Sequence, residues 1–249
     1  MNSPVAPDPT GTPAADSAPA KAPALRPRDA STLILIDRAG AQPRVLLGRR
    51  HAAHKFMPGK FVFPGGRVEA SDRRMAIAGP LDAIVEDKLC AVTRRPSPGF
   101  ARALALAAIR ETFEETGLAL GVTDHGPVSG APEGAWSAFA ATGVFPALDA
   151  LDFVARAITP PGRPRRFDTR FFVADAASIA HRASGVVHEA AELVELVWIP
   201  LGDAGRLDLP PITRVVLADL AAAMAAGMSR FRSRPFYRRR RGRWLREEL

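Results

Sequence analysis

Residues 100–118 read FARALALAAIRETFEETGL, and the two halves of this stretch make opposite electrostatic demands. The first half is rich in Ala and Leu with apolar residues at helical spacing, which predicts a packed helix. Gly117 is its expected stop, because glycine readily takes the left-handed conformation just past a helix end. The second half crowds Glu111, Glu114 and Glu115 at i, i+3, i+4, a spacing that predicts three carboxylates on one side. Like charges so placed cost roughly 0.2–0.5 kcal/mol per pair. The negative end of the helix dipole disfavours an anion there by roughly 0.3–1 kcal/mol more. The arrangement is therefore unfavourable unless a cation sits beside it.

Working outward, the chain has 249 residues, 47% hydrophobic and 24% charged, enough to bury a core in one domain with additions, or at most two. The single cysteine, Cys90, has no partner for an internal disulfide and fits a reducing compartment. No stretch approaches the roughly 18 consecutive apolar residues of a membrane span, and the opening residues lack the apolar core of a signal peptide. The expected location is cytoplasmic, with no membrane partner. The net charge of +8 is carried by 30 arginines and 4 lysines. Such a surface favours anionic ligands, and the arginine fork suits phosphate. Base composition of the coding sequence explains the same bias without a ligand.

Residues 1–28 are dominated by Pro, Ala and small polar residues, a composition that predicts a disordered tail, with a folded domain over residues 29–249. STLILID (31–37) and RVLLGRR (44–50) read as paired strands. FVFPGG follows, where Pro64 ends a strand and Gly65 and Gly66 permit a bend or a close approach to a ligand. Beyond Gly117 the pattern predicts a loop over 121–133, a helix over 147–157 and strands over 166–174 and 192–201. A proline-opened amphipathic helix is expected over 211–228.

GGRVEASD (65–72) and RETFEETGL (110–118) together resemble the Nudix box. That pattern is a glycine, five residues, an acid, seven residues, Arg-Glu, an aliphatic position, any residue, Glu-Glu, any residue, Gly and an aliphatic residue. Gly66, Arg110, Glu111, Glu114, Glu115, Gly117 and Leu118 match as they stand. Asp72 replaces the glutamate of the pattern, Thr112 occupies the aliphatic position, and residues 73–109 stand where the pattern allows seven. An insertion at about 73–103 is similar to that in one branch of the family, the peroxisomal coenzyme A diphosphatases. Within it, residues 81–89 read as a short helix and 93–99 as a loop, so that the glycine bend and the acidic helix can still meet. Upstream, LLGRRHAAHKFMPGKFVFPGG (46–66) is similar to the coenzyme A signature of Nudix diphosphatases. Leu46, Leu47, Arg50, Gly59 and Phe63 to Gly66 are in register, whereas Gly48, His51 and Lys55 depart, the last keeping its positive charge.

The resemblance implies an α/β fold, the Nudix α/β/α sandwich around a mixed sheet, and a diphosphatase. It implies Mg²⁺ or Mn²⁺ on Glu114, Glu115, Glu111 and the Gly65 or Gly66 carbonyl, consistent with hard cations taking oxygen ligands. Glu111 is a ligand or the base that deprotonates water, Arg110 orients it, and Glu192 is the candidate acid from outside the box. Arg50, Lys55, Gly59, Gly65 and Gly66 are the candidate substrate contacts. The expected partner is a small-molecule diphosphate, coenzyme A or an acyl derivative above others, and a homodimer is admitted.

Other features have plainer readings. His51 and His54 lack the further ligands a zinc site needs. His188, Glu189, Glu192 and Glu195 precede or enter a strand, where pairing with arginines is the ordinary role of such acids. Arg163, Arg165, Arg166 and Arg170 surround another strand, either lining the pocket or facing solvent. RPFYRRRRGRWLREEL (234–249) reads first as a hairpin turning near Gly242. Its alternative, an RNA-binding segment or a nucleotide sensor without hydrolysis, rests on arginines interleaved with aromatic residues.

Overall fold

The computed structural model describes residues 25–54 and 57–249. The tail expected over 1–28 lies outside the described residues as far as residue 24, and so does Lys55. Arg28, assigned above to the tail, already opens a strand.

The chain begins with β1 (Arg28–Asp37), β2 (Arg44–Arg50), β3 (Phe61–Val62) and β4 (Gly65–Arg67). Helices α1 (Ala83–Cys90) and α2 (Pro98–Thr116) follow, then β5 (Leu118–Leu120) and α3 (Ala135–Ala140). Next come β6 (Asp152–Ile158), β7 (Phe167–Asp175), β8 (Ile179–Arg182), β9 (Leu193–Pro200) and α4 (Pro211–Ala225). The chain closes with β10 (Pro235–Arg240) and β11 (Arg243–Glu248). The main sheet runs β11-β10-β6-β7-β1-β2-β3, with β4 also on β1 and β9 also on β2. Strands β1 and β7 are parallel, as are β10 and β6, and the other pairs are antiparallel. This is the mixed sheet expected.

The alternation of β1 shows why the molecule has two helical layers. Leu33 and Leu35 join a core with residues of α1, α2 and α3, whereas Ile34 and Ile36 join Val216, Leu217 and Leu220 of α4 on the opposite face. Successive side chains of a strand point to opposite sides, so a strand apolar at every position needs cover on both. The same logic corrects the helix predicted over 147–157, where the structure has β6. Phe153, Val154, Ala155, Arg156 and Ala157 are all buried, because β6 lies between β7 and β10 with helices on both faces. Burial on both sides erases the two-residue period that would have marked a strand.

Helix α2 takes its start from Ser97, whose Oγ accepts from the Phe100 N–H at 3.1 Å, with Pro98 in the first turn. Its stop is Gly117 at φ +75°, donating to the Phe113 carbonyl at 2.8 Å. Thr112 sits fully buried in the aliphatic position because its hydroxyl donates to the Ala108 carbonyl one turn back, at 2.8 Å.

Candidate active site

The site forms where α2 crosses the glycine bend. Gly65–Arg67 pairs with Ala30–Thr32 of β1, and that pairing brings the bend against the last turns of α2. The Gly65 N–H donates to Glu115 Oε2 at 3.2 Å. A Cβ on Gly66 would stand 2.4 Å from the Glu111 carboxyl group, so glycine is needed here for space alone. Gly66→Ala is expected to push the Glu111 carboxylate aside while the fold persists, since only the end of a flexible side chain must yield. We expect activity to fall on the order of 100-fold with little change in melting temperature, measured by steady-state rates and thermal unfolding.

Arg110 is the hub that joins the two separated halves of the box. Buried and only 3% exposed, it donates through Nε to Asp72 Oδ1 at 2.7 Å and through Nη2 to Asp72 Oδ2 at 3.2 Å and the Arg67 carbonyl at 2.8 Å. Its Nη1 reaches Glu111 at 3.0 Å and Glu114 at 2.6 Å. Asp72, fully buried, also accepts from Trp136 Nε1 at 3.0 Å and from the Glu69 N–H at 2.7 Å. A carboxylate one carbon shorter than glutamate is thus held from four donors. Trp136 was not legible as a site residue, because α3 is a six-residue helix without a strong period.

Arg110 Nη1 joins Glu111 and Glu114, while Glu115 meets the glycine bend. Glu111 and Glu115, one turn apart, border a cavity of about 340 Å³ together with Glu192, Arg50, Gly65 and Gly66. Glu114 turns to Arg110 and borders a different surface, beside Phe113 and His181. A buried guanidinium needs acceptors, and the i+4 position supplies one in Glu114 beside Glu111. Glu192 is brought in from the loop before β9 and meets Arg50 at 2.9 Å. Gly59 does not border this cavity. It occupies a turn at φ +68°, which accounts for glycine there.

The cavity brings Glu111, Glu115 and Glu192 together with Arg50, Arg67 and Arg165, and Glu192 pairs with Arg50 while Glu111 pairs with Arg110. Burial holds the Glu115 carboxyl well above the usual carboxylate range, helped by the nearby charges of Glu192 and Glu111. Burial also pushes Glu111 up to about 7, with Glu114 and Glu192 adding to the rise against the opposing pull of Arg110. For Arg110, burial works against its charge, but Asp72, Glu111 and Glu114 outweigh it and hold its pKa above the ordinary value. Among the described residues, no three His, Cys, Asp or Glu side chains already converge on one point as ligands. The donor set nonetheless fits a hard divalent cation: carboxylate oxygens, that of Glu115 buried, with mutual repulsion that a cation would relieve.

The C-terminal run folds as the expected hairpin. Strands β10 and β11 are joined across Arg241 and Gly242, both at positive φ, the geometry of a two-residue hairpin turn. Arg238 pairs with Glu247 and lies over the Phe236 ring, so part of the basic run serves the hairpin itself. No helix among the described residues is long and apolar enough to cross a membrane.

No protein-family model matches the sequence, and no curated protein matches it. Among solved structures the chain is similar to a NUDIX hydrolase from Alicyclobacillus acidocaldarius, with 32% identity, 80% of this chain and 96% of that chain covered, and a TM-score of 0.58. It is also similar to a MutT NUDIX hydrolase from Burkholderia pseudomallei, at 17% identity over 79% of this chain and 99% of that one, TM-score 0.44. A third similar structure is the NUDIX domain of Shewanella oneidensis NrtR complexed with ADP ribose, at 12% identity over 80% and 90%, TM-score 0.45.

Proposed function

The chain belongs to the Nudix hydrolase family, enzymes that cleave the diphosphate bond of nucleoside diphosphate derivatives, and from that premise we propose that its substrate is coenzyme A or an acyl-coenzyme A and its metal Mg²⁺ or Mn²⁺. The observation that carries this reading is the cavity bordered by Glu111, Glu115, Glu192, Arg50 and Arg67, where burial and the neighbouring acids raise the pKa of the Glu115 carboxyl beside arginines able to meet a diphosphate. The partial coenzyme A signature over residues 46–66 supports the choice of substrate.

In this reading Glu114, Glu115 and Glu111 would hold the cation, with the Gly65 carbonyl as a further oxygen donor and Glu192 as the acid from outside the box. A bound divalent cation supplies Lewis acidity and makes water acidic enough to ionise near neutral pH. Glu111 would serve as a ligand or as the base that accepts the proton of the attacking water. Arg110 fixes the orientation of Glu111 by the bond at 3.0 Å and that of Glu114 by the bond at 2.6 Å. Arg50 and Arg67 on the cavity wall face the negative charge of the bound diphosphate. The Gly65 N–H holds Glu115 in place.

The expected result is metal-dependent release of two phosphorylated products from coenzyme A in a panel that includes ADP-ribose and nucleotide sugars, with negligible turnover in a chelator. Comparable or faster cleavage of ADP-ribose than of coenzyme A would overturn the substrate choice and leave the reaction class standing.

A further inference from the structure

Beside the carboxylate cavity lies a second one, of about 370 Å³, bordered by Arg26, Arg28, Arg67, Arg165 and Arg166. Five arginines border it and, among the described residues, no acid does. Among the described residues none of the five has an ion pair with an acid, whereas 12 of the other 25 arginines do. The acids at the same end of β1 and β7 are already engaged: Asp29 with Arg170 at 2.6 Å, and Asp168 with Arg156 at 2.7 Å. Like charges gathered without counter-charge cost free energy, so this arrangement is stable only where solvent or an anion compensates it.

The cavity is also built. Arg166 donates to the Leu25 carbonyl through Nη1 and to the Thr159 carbonyl through Nε at 3.0 Å, while its own carbonyl accepts from the Arg28 N–H at 2.9 Å. These bonds tie the segment carrying Arg26 and Arg28 to the β6–β7 connection. That connection contains Pro160, Pro161 and Pro164, which restrict the backbone that presents Arg165. Arg67, Arg165 and Phe167 border both cavities, which therefore adjoin.

We infer that the arginine cavity binds a phosphate monoester carried by the substrate's nucleoside, remote from the diphosphate held at Glu111 and Glu115. The substrate class is thereby narrowed to nucleoside diphosphate derivatives bearing a further phosphate on the sugar, a class that includes coenzyme A. This inference rests on the diphosphatase reading for its place in turnover, and the binding test below is independent of turnover.

Arg26→Ser/Arg28→Ser alters the arginine cavity without touching the wall shared with the carboxylates. By calorimetry, wild-type protein is expected to bind adenosine 3′,5′-bisphosphate at least about ten-fold more tightly than adenosine 5′-monophosphate, and the double variant to lose that difference. In turnover, kcat/KM for coenzyme A over dephospho-coenzyme A is expected to exceed about ten and to collapse toward one in the variant, a ratio that a general structural defect would leave unchanged. Equal binding of the two nucleotides by wild type overturns the inference, and so does a preference ratio that survives the double substitution. Bisphosphate binding that depends on Arg26 and Arg28, together with failure to cleave any diphosphate, would sustain the cavity and overturn the diphosphatase reading.

Discussion

Glu115→Gln is expected to lower turnover on the order of 10³-fold and, in metal-free protein, to raise the melting temperature. The two effects share one cause. Glu115 is 7% exposed, accepts a single hydrogen bond, from the Gly65 N–H at 3.2 Å, and stands near the charges of Glu111 and Glu192. Glutamine keeps the shape and the acceptor for that N–H but removes the buried charge, which relieves desolvation and repulsion of on the order of 1–3 kcal/mol. At roughly 2–4 °C per kcal/mol for a chain of this size, the gain is measurable by thermal unfolding in a chelator. Adding Mg²⁺ reverses the order, because wild type gains stability from binding a cation and the variant gains little. A variant that keeps its activity would remove Glu115 from the machinery. One that melts lower in a chelator would show that the folded protein already compensates the carboxylate.

Arg110→Met is expected to cost about 3–5 kcal/mol, the scale for removing one partner of a buried ion pair. Its guanidinium is 3% exposed and its three nitrogens donate to Asp72, Glu111, Glu114 and the Arg67 carbonyl. Methionine fills much of the volume but leaves Asp72, fully buried, with only the Trp136 and Glu69 donors. The melting temperature should drop by roughly 10 °C. Asp72→Asn should also destabilise, yet the double variant should cost clearly less than the sum of the two, because either single change already breaks the pair. Strict additivity would mean that Arg110 and Asp72 do not act as one unit.

Much of the fold was legible. The stop of α2 followed from Gly117, the two paired strands at the start from apolar runs around a turn, and α4 from Pro211 and its apolar stripe, whereas α2 begins at Pro98, inside the expected loop. Strand β6 was not, because its burial on both faces leaves no period to read. In the site, Glu111, Glu115, Glu192, Arg50, Gly65 and Gly66 were named from sequence and border one cavity. Glu114 was named with them and shares Arg110 Nη1 with Glu111, an arrangement that spacing along a helix permits and the buried guanidinium selects. Trp136 and the arginine cavity depend on residues far apart in the chain and carried no local signal, although Arg165 and Arg166 had been marked as candidates.

By itself the sequence determined the helix that carries the glutamates, the glycine bend that faces it and the chemical kind of ligand both require. These are local properties: spacing on a helix, a conformation open to glycine, the preference of hard cations for oxygen. Only the tertiary structure decided that residues 73–109 fold away from the cavity, that Arg110 and Asp72 clasp across them, and that five arginines without acids gather beside the carboxylates. Those outcomes depend on which distant segments the sheet places side by side, and a buried charge settles on whichever partner that packing brings within reach.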